Sequence, residues 1–213
     1  MKVKWFGQAA FLLVSEKGLR VITDPYDPSI GYEEIASVAD VTTVSHDHRD
    51  HNFIAGVKGK PKVVKGAGLQ EANGIQFKGV ATFHDKIKGD ERGRNTVFCF
   101  SLDDVRICHL GDLGHLLNDE QIAEIGQVNL LLVPVGGRST IDAVEATELT
   151  AKLRPSVVVP MHFKTEKAGL RFAEVDVFLA GKTNIIRLSS SEFDMKKEDL
   201  STATQIIVLE HAR

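Results

Sequence analysis

The segment His46-Asp47-His48-Arg49-Asp50-His51 places three histidines and two aspartates within six residues. Imidazole nitrogen is the commonest protein ligand for a transition metal, and carboxylate oxygen can complete the same shell. The segment lies one residue past Val41-Thr42-Thr43-Val44, an apolar-rich run that reads as a strand, so the turn after it can present these side chains together. The alternative is a solvated loop that happens to be rich in His. With 8 His in 213 residues, this spacing argues for a metal loop instead.

Three more potential ligands stand where a predicted strand gives way to a loop. His84 follows Val80-Ala81-Thr82-Phe83, Asp112 follows Ile107-Cys108-His109-Leu110-Gly111, and His162 follows Val157-Val158-Val159-Pro160-Met161. A scaffold fixes a side chain at such a position while the loop leaves it exposed.

The elements that must hold these residues change rhythm along the chain. Short strands are predicted at Val3 to Phe6, Ala10 to Val14, Leu19 to Thr23, Val41 to Val44, Lys62 to Val64, Gly74 to Phe77 and Gly79 to Phe83. Thr96 to Leu102 and Val105 to Leu110 flank Asp103-Asp104 in a hairpin pattern. Helices are expected at Asn118 to Ile125, after a cap at Asp142, and from Leu170 to Leu179. The second has Glu145 three residues past the cap, Ala146, Leu149 and Leu153 on one face, and Pro155 beyond its end. Buried strands are expected at Leu130 to Val133 and Val157 to Val159, with closing strands at Asn184 to Leu188 and Gln205 to Leu209. Many strands followed by alternating strand and helix suggest two packed sheets with helices outside, in one domain over residues 1–213.

Composition narrows the classes. Hydrophobic residues at 43% and charged residues at 26% are ordinary for a soluble globular protein. A net charge of −3 offers no basic footprint for a nucleic-acid backbone, which argues for a small-molecule substrate and against RNA or DNA. No apolar run is long enough to cross a bilayer, and no leader pattern opens the chain, so a cytoplasmic location is expected. Cys99 and Cys108 are too few for a disulfide framework and lack a metal-binding spacing; both read as buried thiols on strands. Nothing in the sequence sets the oligomeric state.

The ordered ligand set resembles the hallmark of the metallo-β-lactamase superfamily of metal-dependent hydrolases: His-x-His-x-Asp-His, then a distant His, an Asp and a last His. His46, His48, Asp50 and His51 match it with no substitution. The resemblance implies that His84 joins His46 and His48 around one metal, that Asp50, His51 and His162 hold a second, and that Asp112 bridges both. It implies an α/β (α+β) fold, the four-layer αββα sandwich, with the metals at one edge between the sheets. Trp5-Phe6-Gly7-Gln8-Ala9, Thr23-Asp24-Pro25, His109-Leu110-Gly111-Asp112, Pro134-Val135-Gly136-Gly137 and Pro160-Met161-His162 are similar to a small stand-alone branch related to the ascorbate-phosphate lactonases. The likeness therefore covers nearly the whole chain.

The implied activity is hydrolysis of a small ester, lactone or phosphoester by a bridging hydroxide between two divalent ions. Such ions lower the pKa of a bound water from 15.7 towards roughly 7. Imidazole favours zinc, while the carboxylates let manganese or iron compete. Oxygen-reducing di-iron relatives typically carry Glu where this chain has His48, which favours hydrolysis over redox chemistry. Asp50 is the candidate catalytic residue, binding the second metal and moving a proton. An RNase-Z-like phosphodiesterase and a non-enzymatic metal-binding protein of the same fold are the alternatives.

Other residues carry weaker signals. His109 reads as a packed residue or one that hydrogen-bonds a ligand. His115 could touch substrate or shape the approach to the next helix, and His211 reads as incidental. Gly136-Gly137 could expose backbone N–H groups near the site, but reads rather as a tight strand-to-helix turn. Arg138 could grip a phosphate or carboxylate with its planar fork or be a solvated surface residue. Asp85 could orient His84 or cap a turn, and Arg92-Gly93-Arg94 reads as a solvated turn.

Overall fold

The structure, a computed structural model, describes residues 1–168 and 171–212. Its strands run in chain order as β1 (Lys2–Gly7), β2 (Ala10–Val14), β3 (Arg20–Thr23), β4 (Val38–Val44), β5 (Lys58–Lys65), β6 (Gly68–Ala72) and β7 (Ile75–Phe83). There follow β8 (Arg94–Leu102), β9 (Val105–His109), β10 (Leu130–Pro134), β11 (Val157–Met161), β12 (Ile185–Arg187), β13 (Glu192–Asp194) and β14 (Gln205–Val208). The helices are α1 (Asp119–Ile125), α2 (Ala143–Leu153) and α3 (Val175–Leu179). One sheet has the order β13-β1-β2-β3-β4-β5 and the other β12-β14-β11-β10-β9-β8-β7-β6.

Period-two alternation explains how the sheets face each other. Val3, Trp5, Phe11, Leu13, Val21 and Val41 point inward from the first sheet and share a buried core with Phe77, Val97 and Ile107 of the second. The opposite face of the first sheet buries Phe6, Ala10 and Ile22 under Tyr26, Tyr32 and Ile35. That cover is irregular backbone with a 3₁₀ turn at Pro28–Ile30, so the outer layer on this side is thinner than a full helix. On the second sheet α1 lies over β7 and α2 over β10. The edge strand β5 carries Pro61 and four lysines, Lys58, Lys60, Lys62 and Lys65, which discourages pairing with another chain.

Local signals set α2. Asp142 accepts hydrogen bonds from the Val144 and Glu145 N–H groups, and Glu145 reaches back to the Asp142 N–H. Ala146, Leu149 and Leu153 are buried as their spacing predicts, and the chain turns at Arg154 before Pro155. Elsewhere tertiary pairing overrides the local pattern. The two expected strands around Gly79 are one, because Gly79 pairs with both Gly68 and Phe98. Strands β6 and β13 were not expected; each gains its structure from a neighbour, β7 and β1 respectively. The helix expected from Leu170 begins outside the described residues and is helical only over Val175–Leu179. Ahead of it, Ala173 N–H bonds Gly136 O and Ala173 O accepts from Lys164 N–H, which holds this backbone in loop geometry.

Strands β9, β10 and β11 are mutually parallel, and β7 is antiparallel to β8, which is antiparallel to β9. The C-terminal ends of β7, β9 and β11 therefore lie on one edge of the sheet. The Thr96 N–H donates to Ser45 O just past β4, stitching the first sheet to the second at that same edge.

Candidate metal centre

All seven expected ligands meet at this edge. Atoms of His46, His48 and His84 fall within 4.8 Å of one another, as do atoms of Asp50, His51, Asp112 and His162. His46 Nε2 lies 3.0 Å from His48 Nδ1. Asp112 Oδ2 lies 3.2 Å from His51 Nε2, 3.3 Å from His84 Nε2 and 3.2 Å from His162 Nε2. Donors on one tetrahedral ion at about 2.0–2.1 Å stand roughly 3.3 Å apart, so the spacings suit coordination. Asp112 Oδ2 touches members of both groups and occupies the shared position.

Burial makes the arrangement demanding. His51, His84, Asp112 and His162 are each no more than 2% exposed. His51 Nε2 and Asp112 Oδ1 are buried without any hydrogen-bond partner. Orphaned polar atoms of this kind are expensive unless a cation or ordered water satisfies them. The electrostatics agree. Burial pushes the His46 imidazole down to about 3, with His51 adding to the effect, which leaves it in the neutral form that binds metal. Burial alone would raise the Asp112 carboxyl, yet His162 and His51 hold it well below the usual carboxylate range. Burial opposes charge on His51, but Asp112, Asp24 and Asp50 together raise its pKa well above the ordinary value. Three carboxylates thus call for positive charge at one point, which a proton on His51 or a metal cation can supply.

Four residues to which the sequence reading assigned no role hold the ligands in place. Asp24 directly follows β3 beside the parallel strand β4, its N–H bonded to Thr43 O. Asp24 Oδ2 accepts from His51 Nδ1 at 2.9 Å and also from the Ser45 hydroxyl. Because that hydroxyl donates to Asp24, it accepts from His46 Nδ1, 2.9 Å away. Both rings are left with Nε2 turned to the centre, as orienting partners of metal-bound histidines commonly arrange. Gln8 Nε2 donates to Asp50 Oδ2 at 3.0 Å, and Gln8 O accepts from the His162 N–H. Asn95 clamps the other side, accepting from the Asp112 N–H and donating to Leu110 O. Gln8 and Asp24 stand in two of the segments that carry the family resemblance, Trp5-Phe6-Gly7-Gln8-Ala9 and Thr23-Asp24-Pro25, whereas Ser45 and Asn95 left no signal, because their roles depend on pairing across sheets.

The remaining histidines play packing roles. His109 is fully buried, its Nε2 at 2.9 Å from Ala9 O and its ring edge-on to Phe11. His115 Nε2 accepts from the Phe83 N–H, so it braces the strand end before His84. His211 packs on Tyr32 and Trp5 and meets Glu166, a more constrained place than an incidental residue would have. Asp85 accepts hydrogen bonds from the N–H groups of Ile87, Gly89, Glu91 and Arg92, so it caps the loop after His84. At Gly136 a Cβ would come within 2.2 Å of His162 O, so this glycine serves close packing beside a ligand. Cys108 is buried and Cys99 half-buried; both are free thiols on paired strands, away from the candidate ligands.

Comparison with known proteins decides the family. The β-lactamase superfamily domain model matches residues 2–162. The chain belongs to the metallo-β-lactamase superfamily. It is 30% identical to a UPF0173 protein of Pyrococcus abyssi over 79% of this chain and 86% of that one. A UPF0173 metal-dependent hydrolase of Carboxydothermus hydrogenoformans is 28% identical over 78% of this chain and 85% of its own length. A Thermotoga maritima protein, its crystal structure described as that of a Zn-dependent hydrolase of this superfamily on provisional assignment, is 37% identical with TM-score 0.83 over 99% of both chains. The expected fold class and superfamily hold. The chain falls in the class of metal-dependent hydrolases to which these relatives are assigned. Among the described residues no helix is long and apolar enough to cross a membrane.

Proposed function

We propose that the chain is a binuclear hydrolase, with zinc the best-suited metal, that acts on a small ester, lactone or phosphoester. The observation that carries this reading is the position of Asp112 Oδ2, within 3.2–3.3 Å of three imidazole nitrogens drawn from both ligand groups. His46, His48 and His84 would hold one ion, Asp50, His51 and His162 the other, and Asp112 both. When bound, such ions make a water acidic enough to supply hydroxide near neutral pH and polarise the scissile group.

The protein's own groups supply the rest. Asp24 and Ser45 keep His46 and His51 in one tautomer, so ligand geometry is set before substrate arrives. Asp50 is the least buried carboxylate of the set, its side chain 29% exposed, and Gln8 fixes its Oδ2. Its carboxylate can take the proton of the attacking water and return it to the leaving oxygen. A cavity of about 700 Å³ opens beside His46 and His48, walled by Ala67, Ala81, Phe83 and Thr96, a size suited to a small organic molecule.

The test is a panel of lactones, phosphodiesters and thioesters offered to the zinc-loaded protein, with and without chelator. The reading expects turnover of at least one class that chelator abolishes and zinc restores. Turnover indifferent to chelator, or none in any class, would remove it.

A further inference from the structure

Cys99 on β8 and Cys108 on β9 are register partners, directly opposite each other across the hairpin. The next pair, Phe98 and His109, faces the first sheet, because the His109 ring meets Phe11 there. The cysteines therefore project together from the other, outer face of the second sheet.

The turn between the strands fixes the kind of pairing. Asp103 and Asp104 have φ of +49° and +60°, the sign that a two-residue type I′ turn requires at both central positions. Such a turn makes Leu102 and Val105 a hydrogen-bonded pair. Alternation along the unshifted ladder then makes Ser101 with Arg106, and Cys99 with Cys108, non-hydrogen-bonded pairs. Strand β10 gives the same result. Arg106 O accepts from the Asn129 N–H and the Leu110 N–H donates to Leu132 O, so alternate residues here, Cys108 among them, turn their backbone groups to β10. At non-hydrogen-bonded pairs the Cα atoms stand about 4.5 Å apart. Disulfides bridge Cα separations of roughly 4.4–6.8 Å, so the two sulfurs can bond without backbone movement.

Exposure divides the roles. Cys108 is buried, whereas Cys99 is half-buried and lines a cavity of about 580 Å³ between the sheet and the end of α1, with Lys78 and Arg106 beside it. Contact with the Cys99 sulfur, then burial, pushes the Cys108 thiol well above its ordinary range. Cys108 thus keeps its proton, and Cys99 meets whatever enters the cavity. Among the described residues neither cysteine joins a group of three possible metal ligands, so the pair is not a metal site.

We propose that Cys99 and Cys108 form an oxidation site, which a hydroperoxide converts to an intrachain disulfide. Cys99 Sγ takes one oxygen from hydrogen peroxide as the O–O bond breaks, giving a sulfenic acid and water. Cys108 Sγ then attacks that sulfur; the S–S bond forms, the S–O bond breaks, and hydroxide leaves with the Cys108 proton as a second water. The two thiols lose two electrons and the peroxide gains them. The new bond fastens the middle of the ladder whose far end carries Asn95 and Asp112, joined by the bond from the Asp112 N–H to Asn95 Oδ1. Its formation does not depend on the hydrolase reading.

Mass spectrometry tests the site. The zinc-loaded chain, reduced and freed of reductant, is treated with stoichiometric hydrogen peroxide and digested without reductant. The expected product is a single chain lighter by two hydrogens, with the Cys99 and Cys108 peptides joined and the shift reversed by dithiothreitol. With dimedone present during oxidation, Cys108→Ala should lose the crosslink and carry dimedone on Cys99. Cys99→Ser should lose the crosslink and leave Cys108 a thiol. Amide hydrogen exchange over residues 95–112 should slow roughly tenfold or more in the oxidised parent and not respond to peroxide in either variant. The parent's mass shift decides the crosslink even where a variant fails to fold. Both cysteines still thiols after peroxide, Cys99 carried to a sulfinic acid with Cys108 free, or a crosslink between chains would overturn the proposal. Exchange unchanged in the crosslinked parent would overturn the fastening of the ladder.

Discussion

His51 Nδ1 and Asp24 Oδ2 lie 2.9 Å apart, joining the end of β3 to the metal-ligand turn after β4. The contact spans 27 residues of sequence and is fully buried. It leaves His51 Nε2 as the nitrogen facing Asp112 and Asp50. Asp24→Asn keeps the shape but weakens the acceptor shared by His51 and Ser45. We expect zinc affinity to fall about 10–100-fold, as for other partners that orient metal-bound histidines. Competition with a chromophoric chelator checks this; unchanged affinity would mean that Asp24 has no orienting role.

Asp50 is assigned both a ligand and a proton-transfer role, and one variant removes both. In Asp50→Ala turnover should drop by roughly 10²–10⁴ while at most one metal per chain is lost. Metal analysis alongside single-substrate kinetics decides it. Full activity in the variant would remove the proton-transfer role.

Gly136 packs against the backbone of His162, with no room for a Cβ. Gly136→Ala should destabilise the fold by about 1–3 kcal/mol, the range for overpacking, and reduce metal occupancy at the group containing His162. Denaturant unfolding and metal content measured on the same sample test both halves.

Asp85, next to His84, gives a pH prediction. Burial acts to raise its carboxyl, but the backbone N–H groups of Arg92, Gly89, Ile87 and Glu91 outweigh this and lower it below 3.8. A depressed folded-state pKa contributes stability that is present above the unfolded value and lost as pH falls through the folded one. Asp85→Asn should therefore be less stable than the parent chain at pH 7, by about 1–3 kcal/mol. The gap should narrow in acid below about pH 4. Unfolding curves at pH 7 and pH 3 compare the two; a gap that is constant with pH would exclude the carboxylate as its source.

The ligands were legible in the sequence because their signal is local. His46 to His51 form one turn, and His84, Asp112 and His162 each stand just past an apolar strand. The helix α2 was legible for the same reason, since its cap and buried face lie within a dozen residues. What the sequence hid depends on distant pairing. Gln8 reaches Asp50 across 42 positions, and Asn95 binds the Asp112 N–H across 17. Strand β13 is three residues long and takes its register from β1, nearly two hundred positions away. The shortened α3 shows the same effect, with backbone bonds from Gly136 and Lys164 displacing a helical pattern.

The central claim is that two metal ions share Asp112, and metal stoichiometry tests it most directly. After zinc loading and removal of excess at neutral pH, elemental analysis should give two ions per chain for the parent, close to one for His84→Ala and for His162→Ala, and less than one for Asp112→Ala. No bound metal in the parent chain, or two ions per chain retained in Asp112→Ala, would contradict the account.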